Sequence, residues 1–247
     1  MASKLLLRCA TSLVVRSYPG VIRAASTGSA SPKSHDKPST KATPVNMSGN
    51  NIDVTERVII DHNDIKQAYE KLKTMSDGKD AEKWFNQLLW TIARHSAAEE
   101  LVVYPLLEKT GKTGQQLADK SREDHQKTKE ALAAMDGQPM TPELRRKIDT
   151  MMADLLEHIA MEEGPGGDLE VLRKGVNKDD LLSEGKSFEK WKLLVPTHAH
   201  PNAPDKPPFA TVAGFMAAKV DKLRDLFRSF PDQSEVKSNK EQGKQQK

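Results

Sequence analysis

The sequence predicts an all-α fold, an up-and-down antiparallel four-helix bundle with a C-terminal extension that contains an additional amphipathic helix. Three observations support this prediction. Apolar residues recur at helical spacing in four successive stretches of residues 53–172. Turn-forming clusters of glycine and proline separate these stretches. Of the 247 residues, 5% are aromatic and 30% are charged, which suits helices with solvated outer faces better than a β-sandwich.

Residues 1–52 are predicted to be an N-terminal targeting segment and a flexible linker. Residues 1–35 contain arginine, serine and no acid, with leucine and valine at helical spacing, as in a mitochondrial transit peptide. We therefore expect a mitochondrial protein, with a cytoplasmic location as the alternative. Basic residues interrupt the apolar run, so no transmembrane segment is predicted. Residues 32–52 are rich in Ser, Thr, Pro, Asn and Lys and have the composition of a linker.

Net charge and cysteine content exclude several classes of function. The formal net charge is +3, and most of this excess lies in the N-terminal segment, so the remainder is close to neutral. A body without a basic excess does not predict binding to nucleic acid. Cys9 is the single cysteine, which excludes intrachain disulfides and metal sites built from cysteine.

Each helix of the predicted bundle has its own boundary signals. The first begins near Asp53–Thr55 and ends before a Ser-Asp-Gly turn at 76–78. The second spans about 81–109, and Pro105 should kink it because proline lacks an amide hydrogen. The third spans about 115–135. The fourth begins at Thr141, an N-cap residue followed by proline, and ends at the Gly-Pro-Gly-Gly sequence 164–167.

Residues 173–247 form the predicted C-terminal extension. A proline-rich loop contains His198 and His200, for which we favour a structural role over a separate metal site, because cysteine, further histidine and a clear acidic cluster are lacking nearby. Residues 211–230 have the spacing of an amphipathic helix, docked on the bundle or lying on a membrane surface. Mixed charges on that helix favour docking. The last residues are predicted to be a disordered tail.

A duplicated pattern of histidines and glutamates carries the chemical information of the chain. In each copy a histidine is followed 33 residues later by a second histidine and four residues after that by a glutamate, and the copies lie 63 residues apart. Residues four apart share one helix face, and 33 residues suit a helix, a short connection and an antiparallel return. Six side chains should therefore converge inside the bundle as metal ligands: His62, His95, Glu99, His125, His158 and Glu162.

The residue types indicate a site for two metal ions. Imidazole suits iron, zinc, copper and nickel, and a carboxylate can bridge two ions. With Glu99 and Glu162 as bridges, each ion would receive two histidines and two carboxylate oxygens, which leaves positions for water, hydroxide or a diatomic ligand.

Residues next to the predicted ligands are expected to lie outside the site. The two aspartates could accept hydrogen bonds from neighbouring histidines and orient them. Neighbours on a helix point about 100° apart, however, which favours exposed or capping roles for the aspartates and surface positions for the glutamates. One lysine, a turn beyond His125, is expected to be solvated, and one tyrosine is expected to pack in the core. These residues are Asp61, Asp124, Glu100, Glu163, Lys129 and Tyr69.

Residues 55–172 resemble the hemerythrin-like domain, also known as the HHE cation-binding domain. The matching segments, which lie in about half of the chain, are VIIDHNDI, IARHSAAEELVVYPLLE, SREDHQKTKEAL and LLEHIAMEE. The resemblance implies that the six residues bind two iron ions, with the two glutamates as bridges. Oxygen-carrying hemerythrins place a fifth histidine where this chain has Lys129. They also place the carboxylate ligand of the fourth helix five positions after its histidine, whereas Glu162 follows His158 by four. These departures argue against reversible oxygen carriage.

Three functions remain open at this stage. The first is a non-haem di-iron protein that binds or reduces O₂, peroxide or nitric oxide; no general acid or base stands out, so turnover is left open. The second is an iron-buffering or iron- or oxygen-sensing module without turnover, which would contact a protein partner through its C-terminal extension. The third, least favoured, is a structural bundle with zinc or no metal.

Overall fold

The computed structural model of the protein describes residues 52–207, 209–226 and 228–245, all of whose regular elements are helices. The predicted targeting segment lies outside the described residues, as does almost all of the linker. The all-helical prediction is confirmed. The elements are α1 (Val54–Lys73), α2 (Lys79–Ala98), a π-helical segment (Glu99–Val103), α3 (Tyr104–Glu108), α4 (Lys112–Met135), α5 (Pro142–Glu163), α6 (Asp168–Gly175), α7 (Lys178–Lys192), α8 (Phe209–Asp225) and α9 (Gln233–Gln245).

The helix starts follow the capping signals in the sequence. Asp53 caps α1: its carboxylate accepts the amide hydrogens of Thr55 and Glu56, and the Glu56 side chain accepts the amide of Asp53. At α5, the Thr141 hydroxyl accepts the amide of Leu144, and proline occupies the first helical position. These caps satisfy amide groups that have no partner within the helix.

The second predicted helix consists of three segments, because a π-helical turn separates α2 from α3. The amide of Tyr104 donates to the carbonyl of Glu99, five residues earlier, instead of the residue four earlier. Pro105 follows directly and has no amide hydrogen to donate, so a regular α-helical ladder cannot continue across this point. The predicted irregularity therefore lies at Glu99 itself, one turn before the proline.

Helices α1 and α5 run in opposite directions. Near the start of α5, Arg145 donates to the carbonyl of Leu72 at the end of α1, over 3.2 Å. At the other end of α5, a Glu163 oxygen lies 2.8 Å from Nδ1 of His62, in the first half of α1. Contacts between α1 and α2 and between α4 and α5 complete the group of helices that surrounds the predicted ligands.

Two apolar clusters fill the interior, and His62, His95 and His125 lie between them along α1, α2 and α4. One cluster includes Ile65, Leu88 and Leu155, and the other includes Val58 and Leu107. The polar residues therefore form a layer between two hydrophobic layers, and no solvent surrounds them. Tyr69 packs in the first cluster as predicted, with its hydroxyl bonded to Asp149 over 2.8 Å.

The extension differs from the prediction in two respects. Helix α6 crosses the boundary at 172, so the extension is continuous with the bundle. The tail predicted to be disordered forms α9, which packs on α1. Val236 is buried in the first apolar cluster, and Lys240 forms an ion pair with Asp64 over 2.5 Å. One buried side chain and one ion pair explain why this polar segment is ordered. The predicted helix at 211–230 corresponds to α8.

His198 and His200 bind carboxylates, as their predicted structural role requires. The two ring nitrogens of His198 each lie 2.9 Å from an aspartate oxygen, of Asp136 and Asp225. Nε2 of His200 lies 2.9 Å from Asp221. These contacts join the proline-rich loop to the end of α4 and to α8. None of the described helices combines the length with the apolar character that crossing a membrane requires.

Candidate metal centre

The six predicted ligands form two clusters in the buried polar layer. One consists of His62, His95 and Glu99, and the other consists of His125, His158 and Glu162. In each cluster one potential ligand atom per residue lies within 4.8 Å of the others. All six residues are buried, with at most 4% of their surface exposed. Among the described residues, these are the groups of three or more His, Cys, Asp and Glu that could hold a metal ion.

Each glutamate contacts histidines of both clusters. Glu99 oxygens lie 3.1 Å from Nε2 of His95, in its own cluster, and 3.4 Å from Nε2 of His125, in the other. Glu162 oxygens lie 3.2 Å from Nε2 of His158 and 3.2 Å from Nε2 of His62. Both carboxylates therefore stand between the clusters, where a bridge between two ions would lie.

The polar atoms at the centre fit a cation better than they fit one another. Both oxygens of Glu99, one oxygen of Glu162 and the Nε2 atoms of His62 and His158 are buried without a hydrogen-bond partner. A buried polar group without a partner costs free energy, and a buried charge costs more. Divalent cations between these atoms would supply the missing interactions, so the residues fit the metal pair that their types predict.

The two glutamates differ in their electrostatic surroundings. Burial and the nearby Glu162 carboxylate raise the pKa of Glu99 well above its usual value. Burial acts in the same direction on Glu162, but the His158 and His62 rings prevail and hold the pKa of Glu162 well below its usual value. Two carboxylates in one dry space repel each other, and positive charge between them would remove the repulsion.

Aspartates lie beside two of the histidine rings, on the side away from the centre. An Asp61 oxygen lies 3.5 Å from Nδ1 of His95, and an Asp124 oxygen lies 3.8 Å from Nδ1 of His158. Asp61 is buried, so its predicted exposed or capping role is wrong. Its side chain points away from His62, its neighbour on α1, and meets the ring on the adjacent helix. Asp124 is half-buried in the corresponding position of the second copy.

Glutamates occupy the same position on the other two rings. A Glu163 oxygen lies 2.8 Å from Nδ1 of His62, and a Glu100 oxygen lies 3.5 Å from Nδ1 of His125. The prediction that both glutamates are surface charges is wrong for Glu100, which is buried; Glu163 is exposed, as predicted, although it also contacts an interior ring. They do rotate away from the centre, as helix geometry requires, but towards a histidine on a neighbouring helix.

In all four rings Nε2 faces the centre and Nδ1 faces an outer carboxylate. At His62 the Glu163 oxygen is within hydrogen-bond distance, so it can accept the Nδ1 hydrogen and leave the Nε2 lone pair for a cation. For His95, burial is the largest influence and lowers the pKa to about 4, so the ring is neutral at pH 7. A neutral ring is the form that binds metal.

Lysines neutralise all four of these outer carboxylates. Lys129 was predicted to be solvated, which is wrong: its side chain is only 12% exposed and binds Glu100. The ion pair explains the burial, because the ammonium group compensates a buried carboxylate. The pairs are Lys192–Asp61 at 2.6 Å, Lys66–Glu163 at 3.2 Å, Lys129–Glu100 at 2.9 Å and Lys120–Asp124 at 2.9 Å.

Tyr104 is a residue of the centre that the sequence did not indicate. Its hydroxyl lies 2.9 Å from Nε2 of His125 and 3.3 Å from an oxygen of Glu162, and the residue is fully buried. On a regular helix, a residue five positions after Glu99 would point elsewhere. The π-helical turn widens the helix and brings Tyr104 towards the same interior space as Glu99.

Helix α7 of the extension also reaches the centre. Phe188 is fully buried, and its ring stands edge-on to the His95 ring with 6.3 Å between centroids. Lys192, at the end of the same helix, binds Asp61, which in turn faces His95. The first cluster is therefore supported by residues that lie after the duplicated pattern in the chain, in the C-terminal extension.

Comparisons with known proteins agree with this geometry. Residues 53–164 match the family described as the hemerythrin HHE cation-binding domain. The chain is similar to an uncharacterized hemerythrin-like protein of Schizosaccharomyces pombe (strain 972), with 39% identity over 180 residues, which cover 72% of this chain and 88% of the relative. No solved structure matches the chain. The outer carboxylates and Tyr104 lie within the matched residues, whereas α7 lies beyond them.

Proposed function

Because the chain belongs to the hemerythrin-like family, whose HHE domain binds cations, we propose that it is a non-haem di-iron protein that binds or reduces a small molecule. In this proposal His62, His95, His125 and His158 hold two iron ions, and two glutamates bridge them. The observation that supports it most directly is that Glu99 and Glu162 each contact histidines of both clusters while keeping buried oxygens without partners.

The chemistry follows from the metal pair and from the groups around it. Two iron ions supply open coordination positions and electrons for binding or reducing O₂, peroxide or nitric oxide. The chain supplies a dry space and a hydrogen-bond donor. Burial, reinforced by Glu99 and Glu162, raises the pKa of Tyr104 well above 10, so its hydroxyl keeps its proton and can donate it to a ligand near His125.

The surroundings of Lys129 weigh against reversible oxygen carriage. The ammonium group binds Glu100, which in turn faces Nδ1 of His125. Lys129 therefore acts on the outer side of this histidine and adds no ligand to the centre. The two clusters keep the same composition, two histidines and one glutamate each, so they lack the inequality of the two irons on which carriage depends.

A second candidate function is iron buffering or sensing without turnover. It is favoured by the contacts of α7, because Lys192 and Phe188 connect the first cluster to the extension. Iron bound by His95 would change the contact of this ring with Asp61, which binds Lys192 of α7, and a partner protein that binds the extension would detect the change. The two candidates share the metal pair and differ in whether the small molecule is consumed.

The first experiment loads the full chain with ferrous iron without oxygen and measures iron content and absorption before and after air, peroxide or nitric oxide. We expect an ion for each of the two clusters and charge-transfer absorption that responds to the added molecule. The variant Glu99→Gln with Glu162→Gln should lose both. The control carries Glu130→Gln and Glu143→Gln, which are exposed on α4 and α5 and should change nothing.

The outcomes separate the candidates. Repeated consumption of peroxide or nitric oxide at constant iron content supports the first candidate. A single spectral change without consumption supports the second. Failure of the chain to take up ferrous iron, or an unchanged iron content in the double glutamine variant, would contradict the proposed centre.

We also propose that the protein is imported into mitochondria, with a cytoplasmic location as the alternative. Support comes from the composition of residues 1–35, which include five basic residues and no acid. Fractionation of cells that express the full chain, compared with a chain in which Arg8, Arg16 and Arg23 are replaced by glutamine, tests the proposal. Equal distribution of both chains would contradict it.

A further inference from the structure

Helix α8 and Leu226, which directly follows it, expose a row of large apolar side chains. Val220, Leu223 and Leu226 are 58%, 59% and 77% exposed, and Leu193 at the end of α7 is 67% exposed. Lys222 donates to the carbonyl of Leu193 over 3.4 Å, so the two helices meet at this surface. Single exposed apolar residues are common on proteins, whereas a contiguous group indicates an interaction surface.

Basic side chains accompany every apolar residue of this row. Lys219, Lys222 and Arg224 are exposed, and each lies one helical turn from an apolar neighbour. The pairs are Lys219–Leu223, Lys222–Leu226 and Val220–Arg224. We call these six residues, together with Leu193, the α8 surface.

The acids of α8 point away from this surface. Asp221 is fully buried, and one of its oxygens accepts the amides of Thr197 and His198 and contacts His200. Asp225 accepts the hydroxyl of Thr197 over 2.7 Å and contacts His198. The fold therefore sorts the charges of this helix: both acids point inward, Lys219 and Lys222 point outward, and the exposed Arg224 lies 3.7 Å from Asp136.

We propose that the α8 surface binds the surface of a bilayer that contains anionic phospholipids. An apolar row between basic residues is the pattern of a helix that lies in the plane of a membrane, with the side chains in the acyl boundary and the bases at the phosphates. The charge argues against two other occupants. A symmetric contact with a second copy would place the bases of both copies against each other, and residues 1–35 of this chain are basic as well.

Vesicle co-sedimentation of the iron-loaded full chain tests the proposal. The probes are vesicles of phosphatidylcholine alone and of phosphatidylcholine mixed with phosphatidylglycerol. We expect binding to the anionic vesicles, because each base near such a surface strengthens binding about fivefold. Lys219→Gln with Lys222→Gln should weaken binding about twenty-five-fold. Leu223→Gln should weaken it about tenfold through lost apolar burial.

A matched control separates the α8 surface from the remaining charge of the chain. Arg146→Gln with Lys186→Gln removes two exposed bases from α5 and α7 and should leave binding within twofold of the unmodified chain. Iron content and far-ultraviolet circular dichroism should be the same in all variants. Residual binding by the basic N-terminal residues is common to all of them and cancels in the comparison.

Several results would overturn the proposal. One is equal binding to neutral and anionic vesicles, and another is an α8 variant that binds like the control. A third is an unmodified chain that is oligomeric in solution and α8 variants that are monomeric, with vesicle binding unchanged. That result would assign the surface to a second copy. Loss of a co-purifying protein in Leu223→Gln without a change in vesicle binding would assign it to a protein partner.

Discussion

Replacement of Lys192 by methionine tests whether the extension supports the metal centre. The substitution keeps the apolar stem of the side chain and removes the ammonium group that lies 2.6 Å from the buried Asp61 carboxylate. Removing one partner of a fully buried ion pair costs about 3–5 kcal/mol. The side chain of Lys192 is 17% exposed, so water can partly replace it, and we expect a loss of about 2–3 kcal/mol.

The pKa of Asp61 gives a similar magnitude. Burial works to raise it, but His95 and Lys192 prevail and lower it from 3.8 to about 2. A lowering of this size corresponds to about 2 kcal/mol of stability, shared between the two partners. Because the pKa is lowered on folding, this stability is present above pH 3.8 and is lost as the pH falls towards 2. The difference between variant and unmodified chain should shrink over the same range.

Two measurements check this prediction. Urea unfolding of the metal-free chain at pH 7 reports the stability, and competition with a chelator reports the iron affinity. Loss of a group that orients a metal ligand lowers affinity about tenfold to a hundredfold. The control is Lys190→Met, an exposed lysine two residues earlier on α7. If Lys192→Met unfolds and binds iron like the control, then the Lys192–Asp61–His95 contacts do not support the centre.

Three further predictions address separate parts of the fold. Tyr104→Phe should retain iron but slow the spectral response to peroxide about tenfold or more in stopped-flow measurements, because the buried hydroxyl is lost; an unchanged rate would remove Tyr104 from the proposed role. Burial lowers the pKa of His198, but the hydrogen bond with Asp136 and its negative charge outweigh burial, so the pKa is raised. Its stabilisation is therefore complete below pH 6.5 and lost as the pH rises through the raised value, so the destabilisation caused by His198→Gln in urea should be larger at pH 6 than at pH 9. Gly185→Ala should destabilise the chain by about 1–3 kcal/mol in urea unfolding, because a Cβ atom would lie 2.6 Å from the carbonyl oxygen of Ile52; an unchanged midpoint would show that α7 can shift.

The sequence predicted the helices and the six central residues because both depend on short-range spacing. His95 and Glu99 share a helix face by geometry alone, and the repeat supplied the second pair. The start of α1 at Asp53 and the start of α5 at Thr141 followed from local capping chemistry in the same way. Such features need no knowledge of how the helices pack.

The outer carboxylates could not be predicted in this way, because their partners lie on other helices. Asp61 and Glu163 rotate away from the centre, as expected, and only the packing of neighbouring helices decides that a histidine ring lies there. Tyr104 was missed for a different reason. The π-helical turn adds a residue to the helix, so a regular helical period assigns Tyr104 to the wrong face. The order of α9 depends on contacts with α1 and the core, among them the buried Val236 and the Lys240–Asp64 ion pair, which composition does not reveal.

A glutamate of each repeat contacts a histidine of the other repeat, so the chain cannot be cut into two independent metal-binding halves. Glu100, from the first repeat, holds His125 of the second, and Glu163, from the second, holds His62 of the first. Neither repeat therefore contains everything that orients its own histidines. A fragment that ends between the repeats would carry one complete set of ligands with one ring left unsupported. The duplication visible in the sequence produces an interlocked pair, and the two halves are not interchangeable one-ion modules.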